Sequence, residues 1–209
     1  MSTAAARTGR PLRADASRNR RALIDAARTV FERDGFVDAR VTDIAEEAGL
    51  AHGSFYSHFD SKEDALATVL AEVEEEMLHP RSAHLSSDED PVAAIEAANR
   101  AYLEAYRRNA KLMAVLEQVA TVDERFRRLR RRRTAAFVKR NADGIRRLQE
   151  RGLADPALDP ELASLAISAM VSRTAYANFV GNSRPVGIDA LTATLTRLWA
   201  NALRIPGGE

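Results

Sequence analysis

Residues Val41 to Phe59 read VTDIAEEAGLAHGSFYSHF and contain two short helical patterns that meet at Gly49. Glycine commonly ends a helix in the left-handed conformation, so Gly49 is expected to end the first helix, with Thr42 as its N-cap. Phe55 and Phe59, four residues apart, form the apolar side of the second helix. This spacing predicts a helix-turn-helix unit.

The second helix of this unit carries short or planar polar residues on its remaining sides. Such groups fit the major groove of DNA, about 12 Å wide, and can bond base edges or phosphates. Two of them, His52 and His58, are separated by about 240° of helical rotation, so they cannot chelate one metal ion, and no cofactor is expected. The candidate groove residues are His52, Gly53, Ser54, Ser57 and His58.

Thr42, Ala45, Gly49 and the run GSFYSHFDSKE, Gly53 to Glu63, resemble the TetR family of transcriptional repressors, over roughly residues 17–70. Ala51 departs from the family, which usually has a Ser or Thr capping the recognition helix at this position. The resemblance implies that Tyr56 and Lys62 hold backbone phosphates beside that helix. A phenol and an ammonium group near a helix start suit this role. The alternatives are a core aromatic for Tyr56 and a solvated charge for Lys62.

The composition sets limits on the class of protein. A chain of 209 residues with 45% apolar content is long enough for one large or two small domains. The chain has no cysteine, which excludes disulfides, thiolate zinc sites and a cysteine nucleophile. No apolar run approaches the roughly 18 residues of a membrane span, and the first residues lack the apolar region of a signal peptide. We therefore expect a cytoplasmic protein that does not associate with membranes.

Charge is segregated along the chain although the net charge is only +1. Residues 1–21 carry several arginines against Asp15 alone, whereas residues 72–90 are acidic. We expect residues 1–16 to form a flexible basic arm that follows DNA phosphates or a minor groove, the alternative being a solvated terminus. The arginines are Arg7, Arg10, Arg13, Arg18, Arg20 and Arg21.

Helical periodicity continues along the whole chain. A first helix is predicted over Ser17 to Asp34, so residues 17–62 form the DNA-binding domain and residues 63–209 a C-terminal domain. Ser61 is the expected N-cap of the next helix, which Pro80 stops. Further helices are predicted to begin at Asp90-Pro91 and at Asn109, and to cover Asp123 to Arg151, Pro160 to Val180 and Ile188 to Leu203. The fold class is therefore all-α, with about nine helices and no strand.

The resemblance also implies a C-terminal cavity for a small-molecule effector and a homodimer. Helices that surround the cavity in the family correspond to those carrying Tyr102, Met113, Leu116, Phe137 and Met170, although such residues often only pack a core. The helix over Pro160 to Val180 is apolar on two sides, and the next helix carries the only tryptophan, so both are expected to need a partner surface.

Arg130 and Arg133 fall on the same face of their helix as Phe126 and Phe137, which is the inward face. An unpaired charge in that direction is costly. The two arginines are expected either to form ion pairs with Glu104 or Glu117, or to bind an anionic group of a lipophilic effector.

These observations predict a repressor that a small lipophilic effector releases from a palindromic, double-stranded operator. The alternative is an architectural DNA-binding protein with a filled C-terminal core. An enzyme is not expected, because the sequence has no phosphate-binding glycine loop, HExxH motif or G-x-S-x-G motif.

Overall fold

The computed structural model describes residues 9–78, 90–181 and 184–206, with side chains from residue 15 onward. The described residues form nine helices and no strand, which confirms the predicted all-α class. The helices are α1 (Gly9–Asp38), α2 (Val41–Glu47), α3 (His52–Phe55), α4 (Lys62–Leu78), α5 (Pro91–Arg108), α6 (Ala110–Val122), α7 (Glu124–Glu150), α8 (Pro160–Phe179) and α9 (Ile188–Leu203).

The chain divides into two compact units, Met1–Glu72 and Val73–Glu209. The division lies inside α4, later than the predicted boundary at residues 62 and 63. At the end of the first unit, Arg21 of α1 donates to the Glu72 carboxylate of α4 over 2.8 Å. Pro80, which was predicted to stop α4, lies outside the described residues.

α1 is longer than predicted. It begins at Gly9, so residues 9–16, which were predicted to belong to the basic arm, are helical; residues 1–8 lie outside the described part of the chain. Pro11 is compatible with this start because the N–H groups of a first helical turn have no partner within the helix. At the other end, Gly35 interrupts the helix with a φ of 75°, at the position where the sequence predicted its end.

The first unit is built on fully buried side chains from several helices. They include Leu23 and Phe31 of α1, Ile44 of α2, Phe55 of α3 and Leu66 of α4, each at most 1% exposed. The N-cap of α2 is Arg40 and not Thr42, because α2 begins at Val41 and places Thr42 inside its first turn. There the Thr42 hydroxyl donates to the Asp43 carboxylate over 3.4 Å.

The second unit packs α7 against α6 and α8, and α5 against α9 and α8. Side-chain caps set several of its helix starts. Asp90 accepts hydrogen bonds from the N–H groups at the start of α5, Asp123 does so for α7 and Asp159 for α8. The predicted starts at Asp90-Pro91, Asp123 and Pro160 therefore agree with the structure to within a residue, because each is marked by a capping carboxylate.

Candidate DNA-contacting surface and C-terminal cavity

The turn between α2 and α3 is closed by backbone hydrogen bonds. Gly49 has a φ of 67°, and its N–H donates to the carbonyl of Glu46 over 2.9 Å. The N–H of Leu50 donates to the carbonyl of Ala45 over 2.9 Å. These bonds fit the helix ending that glycine permits, so the turn has the geometry that the sequence predicted.

α3 is a single turn held to the core by Phe55, with Phe59 buried just after it. Its N-cap is Ala51, which has no side-chain acceptor to bond the first N–H groups. The helix start is therefore held by the backbone alone, with the N–H of Ser54 donating to the carbonyl of Ala51 over 2.8 Å.

The predicted groove residues lie on the solvent side of this unit or at its edge. His52, Gly53 and Ser57 are exposed, whereas Ser54 and His58 are partly buried. Thr42 is also exposed. The predicted groove residues thus surround one short helix whose opposite side is the core.

Tyr56 is 55% exposed, so it is not a core aromatic. Its ring lies 5.5 Å from the His52 ring and 5.4 Å from the Phe55 ring, edge to face in both cases. Phe55 is buried, so these contacts place the Tyr56 phenol beside the predicted groove residues.

Lys62 has a different environment from either prediction. Its Nζ donates to the carbonyl oxygens of Phe36 over 2.7 Å and Ala39 over 2.8 Å, with the Val37 carbonyl at 3.5 Å. It also lies 4.5 Å from the centre of the Phe36 ring. The ammonium group therefore links the start of α4 to the end of α1, and a phosphate would have to compete with these carbonyls.

The arginines at positions 18, 20 and 21 have partners within the protein. Arg18 pairs with Asp15, and Arg21 pairs with both Asp25 and Glu72. The hydrogen bond to Asp25 is the main cause that raises the pKa of Arg21 above its usual value. Arg20 lies 5.2 Å from the centre of the Phe59 ring. Of the predicted basic arm, Arg7 lies outside the described residues, as do the side chains of Arg10 and Arg13.

A cavity of about 690 Å³ lies within the second unit, between α5, α7 and α8. Of the residues predicted to bind an effector, Tyr102, Arg130, Arg133 and Phe137 line it. The other predicted residues do not line the cavity. Met113 and Leu116 of α6 are each only 2% exposed and belong to the buried core. Met170 packs against an apolar cluster that contains Ile145 and Ile167.

Arg130 forms the ion pair that was one of its two predicted roles. Its Nη1 donates to the Glu117 carboxylate over 2.8 Å, and both side chains are a little over one-third exposed. Glu117 also lines the cavity. The two charges compensate each other, so Arg130 is not a free cation in the cavity wall.

Arg133 is different, because no carboxylate of the described residues lies within ion-pair distance of it. Its Nη2 lies 3.7 Å from the sulfur of Met77, and its Nε is buried without a hydrogen-bond partner. Its guanidinium carbon lies 6.0 Å from the centre of the Phe137 ring.

Arg140 is a second arginine of this wall and was not predicted from the sequence. Its Nη1 donates to the carbonyl of Leu78 over 2.8 Å, and its guanidinium carbon lies 5.0 Å from the centre of the Phe137 ring. Desolvation among these neighbours lowers the pKa of Arg140. A signal for it existed, because Arg133 and Arg140 are two helical turns apart and fall within about 20° of each other.

Tyr102 faces these two arginines from α5. Its ring meets the Phe137 ring edge to face at 5.4 Å. Burial raises the pKa of Tyr102, and the charges of Arg133 and Arg140 oppose that rise. The hydroxyl therefore stays protonated and can donate a hydrogen bond. Tyr106 and Trp199 also line the cavity and were not predicted.

Two family models match the chain. Residues 23–69 match the model of bacterial regulatory proteins of the tetR family, and residues 94–204 match the C-terminal domain of the transcriptional regulator EthR. The second match alone covers more than half of the chain. The chain belongs to the TetR family.

Comparison with individual regulators gives the same result. The chain is 43% identical over 58 residues to the regulator TtgW of Pseudomonas putida, covering 28% of this chain and 43% of TtgW. It thus spans less than half the length of that relative. It is 25% identical over 191 residues to EthR of Mycobacterium tuberculosis, covering 87% of this chain and 85% of EthR.

A solved structure of another regulator has a similar fold. The fatty acid degradation regulator FadR from Bacillus halodurans superimposes with a TM-score of 0.73 at 21% identity, covering 90% of this chain and 97% of FadR. Because TetR-family members are regulatory proteins, membership confirms the prediction that the chain is not an enzyme. Within the described ranges, no group of side chains could hold a metal ion and no helix is long and apolar enough to cross a membrane.

Proposed function

We propose that this protein is a ligand-responsive transcriptional repressor. It binds double-stranded operator DNA through α3 and its neighbours, and a small lipophilic effector in the cavity of the second unit releases it. The observation that carries the proposal is the exposed set of polar side chains around α3 in a chain of the TetR family.

The proposed DNA contacts divide into two kinds. His52, Gly53, Ser54 and Ser57 lie on or directly after α3 and are placed to meet base edges, whereas Tyr56 is placed to meet phosphates. Thr42 and His58 lie at the margins of this surface. Lys62 contributes to it through the carbonyls that it holds, because these bonds position the start of α4.

The cavity favours a ligand-responsive protein over the architectural alternative. A protein that only binds DNA has no need of a pocket of about 690 Å³ in its second unit. Its apolar and aromatic walls suit a lipophilic molecule. FadR is described as a regulator of fatty acid degradation, which is compatible with this choice of ligand class.

α4 is the element through which binding in the cavity would change DNA binding. It is one continuous helix from Lys62 to Leu78. Lys62 holds carbonyls of the segment after Gly35, and Arg133 and Arg140 contact the last two residues, Met77 and Leu78. An effector releases DNA only if it binds the DNA-incompetent state more tightly than the competent one.

We also propose a two-fold homodimer. Leu162 and Leu165 of α8 are 67% and 48% exposed, and Leu198 of α9 is 46% exposed. Exposed leucines grouped on two helices are typical of a buried subunit interface. Trp199 does not belong to this surface. It packs, partly buried, against the apolar cluster of its own unit.

The experiment that tests the function is selection of bound DNA from random or genomic fragments, followed by titration of the selected sequence. We expect a palindromic site, binding that weakens steeply as salt rises, and release by a hydrophobic small molecule. Equal affinity for selected and unrelated DNA would rule out a sequence-specific regulator. Specific binding that no ligand reverses would favour the architectural alternative.

A further inference from the structure

Arg133 and Arg140 place two positive charges at one end of the cavity, around the ring of Phe137. Their guanidinium carbons lie 6.0 Å and 5.0 Å from that ring centre. None of the ion pairs formed among the described residues includes either arginine. Their polar neighbours are the Met77 thioether, the Leu78 carbonyl and the Tyr102 hydroxyl, none of which carries a charge.

Two like charges near one buried ring are unfavourable unless an anion joins them. Placing unpaired ionised groups away from water costs free energy, and a negative group in hydrogen-bond reach restores it. Arg140 also reaches solvent, so this cost falls mainly on Arg133. Arginine presents a planar fork of N–H donors that matches carboxylates and phosphates. The Nε of Arg133, which is buried and has no partner, shows that this donor set is not satisfied by the protein alone.

Tyr102 supplies a third donor at the same place. It is 8% exposed, its ring is in contact with Phe137, and its hydroxyl lies within the electrostatic influence of both arginines. The nearby Glu117 does not supply the missing negative charge, because it is paired with Arg130.

The rest of the cavity wall on the same helix includes apolar side chains as well as the polar Asn141, Arg147, Glu150 and Arg151. Ile145 and Leu148 follow Arg140 on α7, and Ile95 and Trp199 line the space from α5 and α9. Leu148 lies about 12 Å from Arg140 along the axis of α7. A ligand that pairs with the two arginines and covers these apolar side chains is an amphiphile with a compact anionic head and an apolar tail.

We propose that Arg133, Arg140 and Tyr102 bind the carboxylate or phosphate head group of an amphipathic effector whose apolar tail lies along Ile145, Leu148 and Trp199. The proposal rests on the proposed function only in calling this ligand an effector. Binding of the anionic head is a separate property that can be measured without DNA.

The test uses three amphiphiles with one tail: dodecanoate, dodecyl phosphate and dodecan-1-ol, each kept below the concentration at which it forms micelles. Trp199 is the only tryptophan of the chain and lines the cavity, so its fluorescence reports occupation of the tail region. We expect wild-type protein to bind at least one of the two anions about tenfold or more tightly than the alcohol, since hydrogen bonds to charged groups are among the strongest.

The variants Arg133→Met and Arg140→Met are each expected to remove most of that preference while retaining the affinity for dodecan-1-ol. Retained binding of the alcohol shows that the cavity is still folded. Arg132→Met is the matched control, because Arg132 is exposed on the same helix and does not line the cavity. It should bind all three amphiphiles as the wild type does.

The outcomes separate this inference from the proposed function. Equal affinity of the wild type for anions and alcohol, no binding of either anion, or full preference retained in both variants would overturn the anion site. If dodecanoate binds through Arg133 and Arg140 but leaves the DNA complex unchanged, the anion site is supported and effector release is wrong. If only the neutral alcohol releases DNA, release is supported and the anion site is wrong.

Discussion

The hydroxyl of Tyr56 is the clearest single group for a phosphate contact, because its ring is held by Phe55 while the residue is 55% exposed. Tyr56→Phe keeps the ring and removes one donor. We expect DNA affinity to fall by about 1 kcal/mol, by the same factor for operator and unrelated DNA. His52→Ala is the contrasting variant, since loss of a base contact should weaken the operator more than unrelated DNA. Fluorescence anisotropy titrations of both DNAs would measure this, and a change confined to the operator would place Tyr56 on a base.

Lys62 carries a second prediction at the scale of a residue, because its ammonium group joins the carbonyls of Phe36 and Ala39. Lys62→Met leaves these acceptors without that donor, and we expect a loss of stability of about 1–3 kcal/mol. Urea unfolding would measure it. Lys139→Met is the control, because Lys139 is largely exposed and bonds only Asp143 at the surface. Unchanged stability together with a smaller salt dependence of DNA binding would instead indicate that Lys62 contacts a DNA phosphate directly.

The helix α3 has only one turn, and its N-cap, Ala51, has no side-chain acceptor. Ala51→Ser places a hydroxyl where the N–H groups of the first turn need an acceptor. We expect the free energy of unfolding to rise by about 0.5–1 kcal/mol. Ala51→Val serves as the control, because it enlarges the side chain without an acceptor. Thermal or urea unfolding would measure the free energy of unfolding of each variant. An equal change in both variants would show that capping is not the cause.

On α7 the two inward arginines differ in their partners. Arg130 forms an ion pair with Glu117 of α6. Arg133 lies beside Met77 of α4 and forms no ion pair with a carboxylate of the described residues. The difference depends on which neighbouring helix each side chain meets. Periodicity gives the direction in which a side chain points from its own helix, but it does not identify the residue of the neighbouring helix that the side chain contacts.

For the whole molecule, the exposed leucines of α8 and α9 predict an assembly state. Leu165→Glu would bury a charge in the proposed interface, so we expect the dimer to weaken by about 3 kcal/mol or more, roughly a hundredfold in Kd. Operator affinity should fall with it, because two half-sites need two protomers. Sedimentation velocity would report the change. Val122→Glu is the control, since Val122 is 84% exposed but lies on α6. A monomeric wild type at micromolar concentration would contradict the dimer.

The amino-acid sequence by itself determined the fold class, the helix-turn-helix and most helix ends. These depend on local features: the left-handed glycine at position 49, the capping carboxylates at Asp90, Asp123 and Asp159, and apolar residues at helical spacing. Local signals failed at the start of α1. There the predicted start was Ser17, but the helix already begins at Gly9, which Pro11 permits because it lies in the first turn.

Only the tertiary structure decided which side chains surround the cavity and which fill the core. Met113 and Leu116 have the same apolar pattern as cavity residues, yet they are core, because α6 meets its neighbours closely at those positions. In the same way, Arg130 forms an ion pair with Glu117, and Lys62 donates to backbone carbonyls. Arg133 and Arg140 both lie near the ring of Phe137, and neither forms an ion pair among the described residues. Each outcome depends on contacts between residues distant in the chain, whose geometry is set by helix packing and not by any local run of sequence.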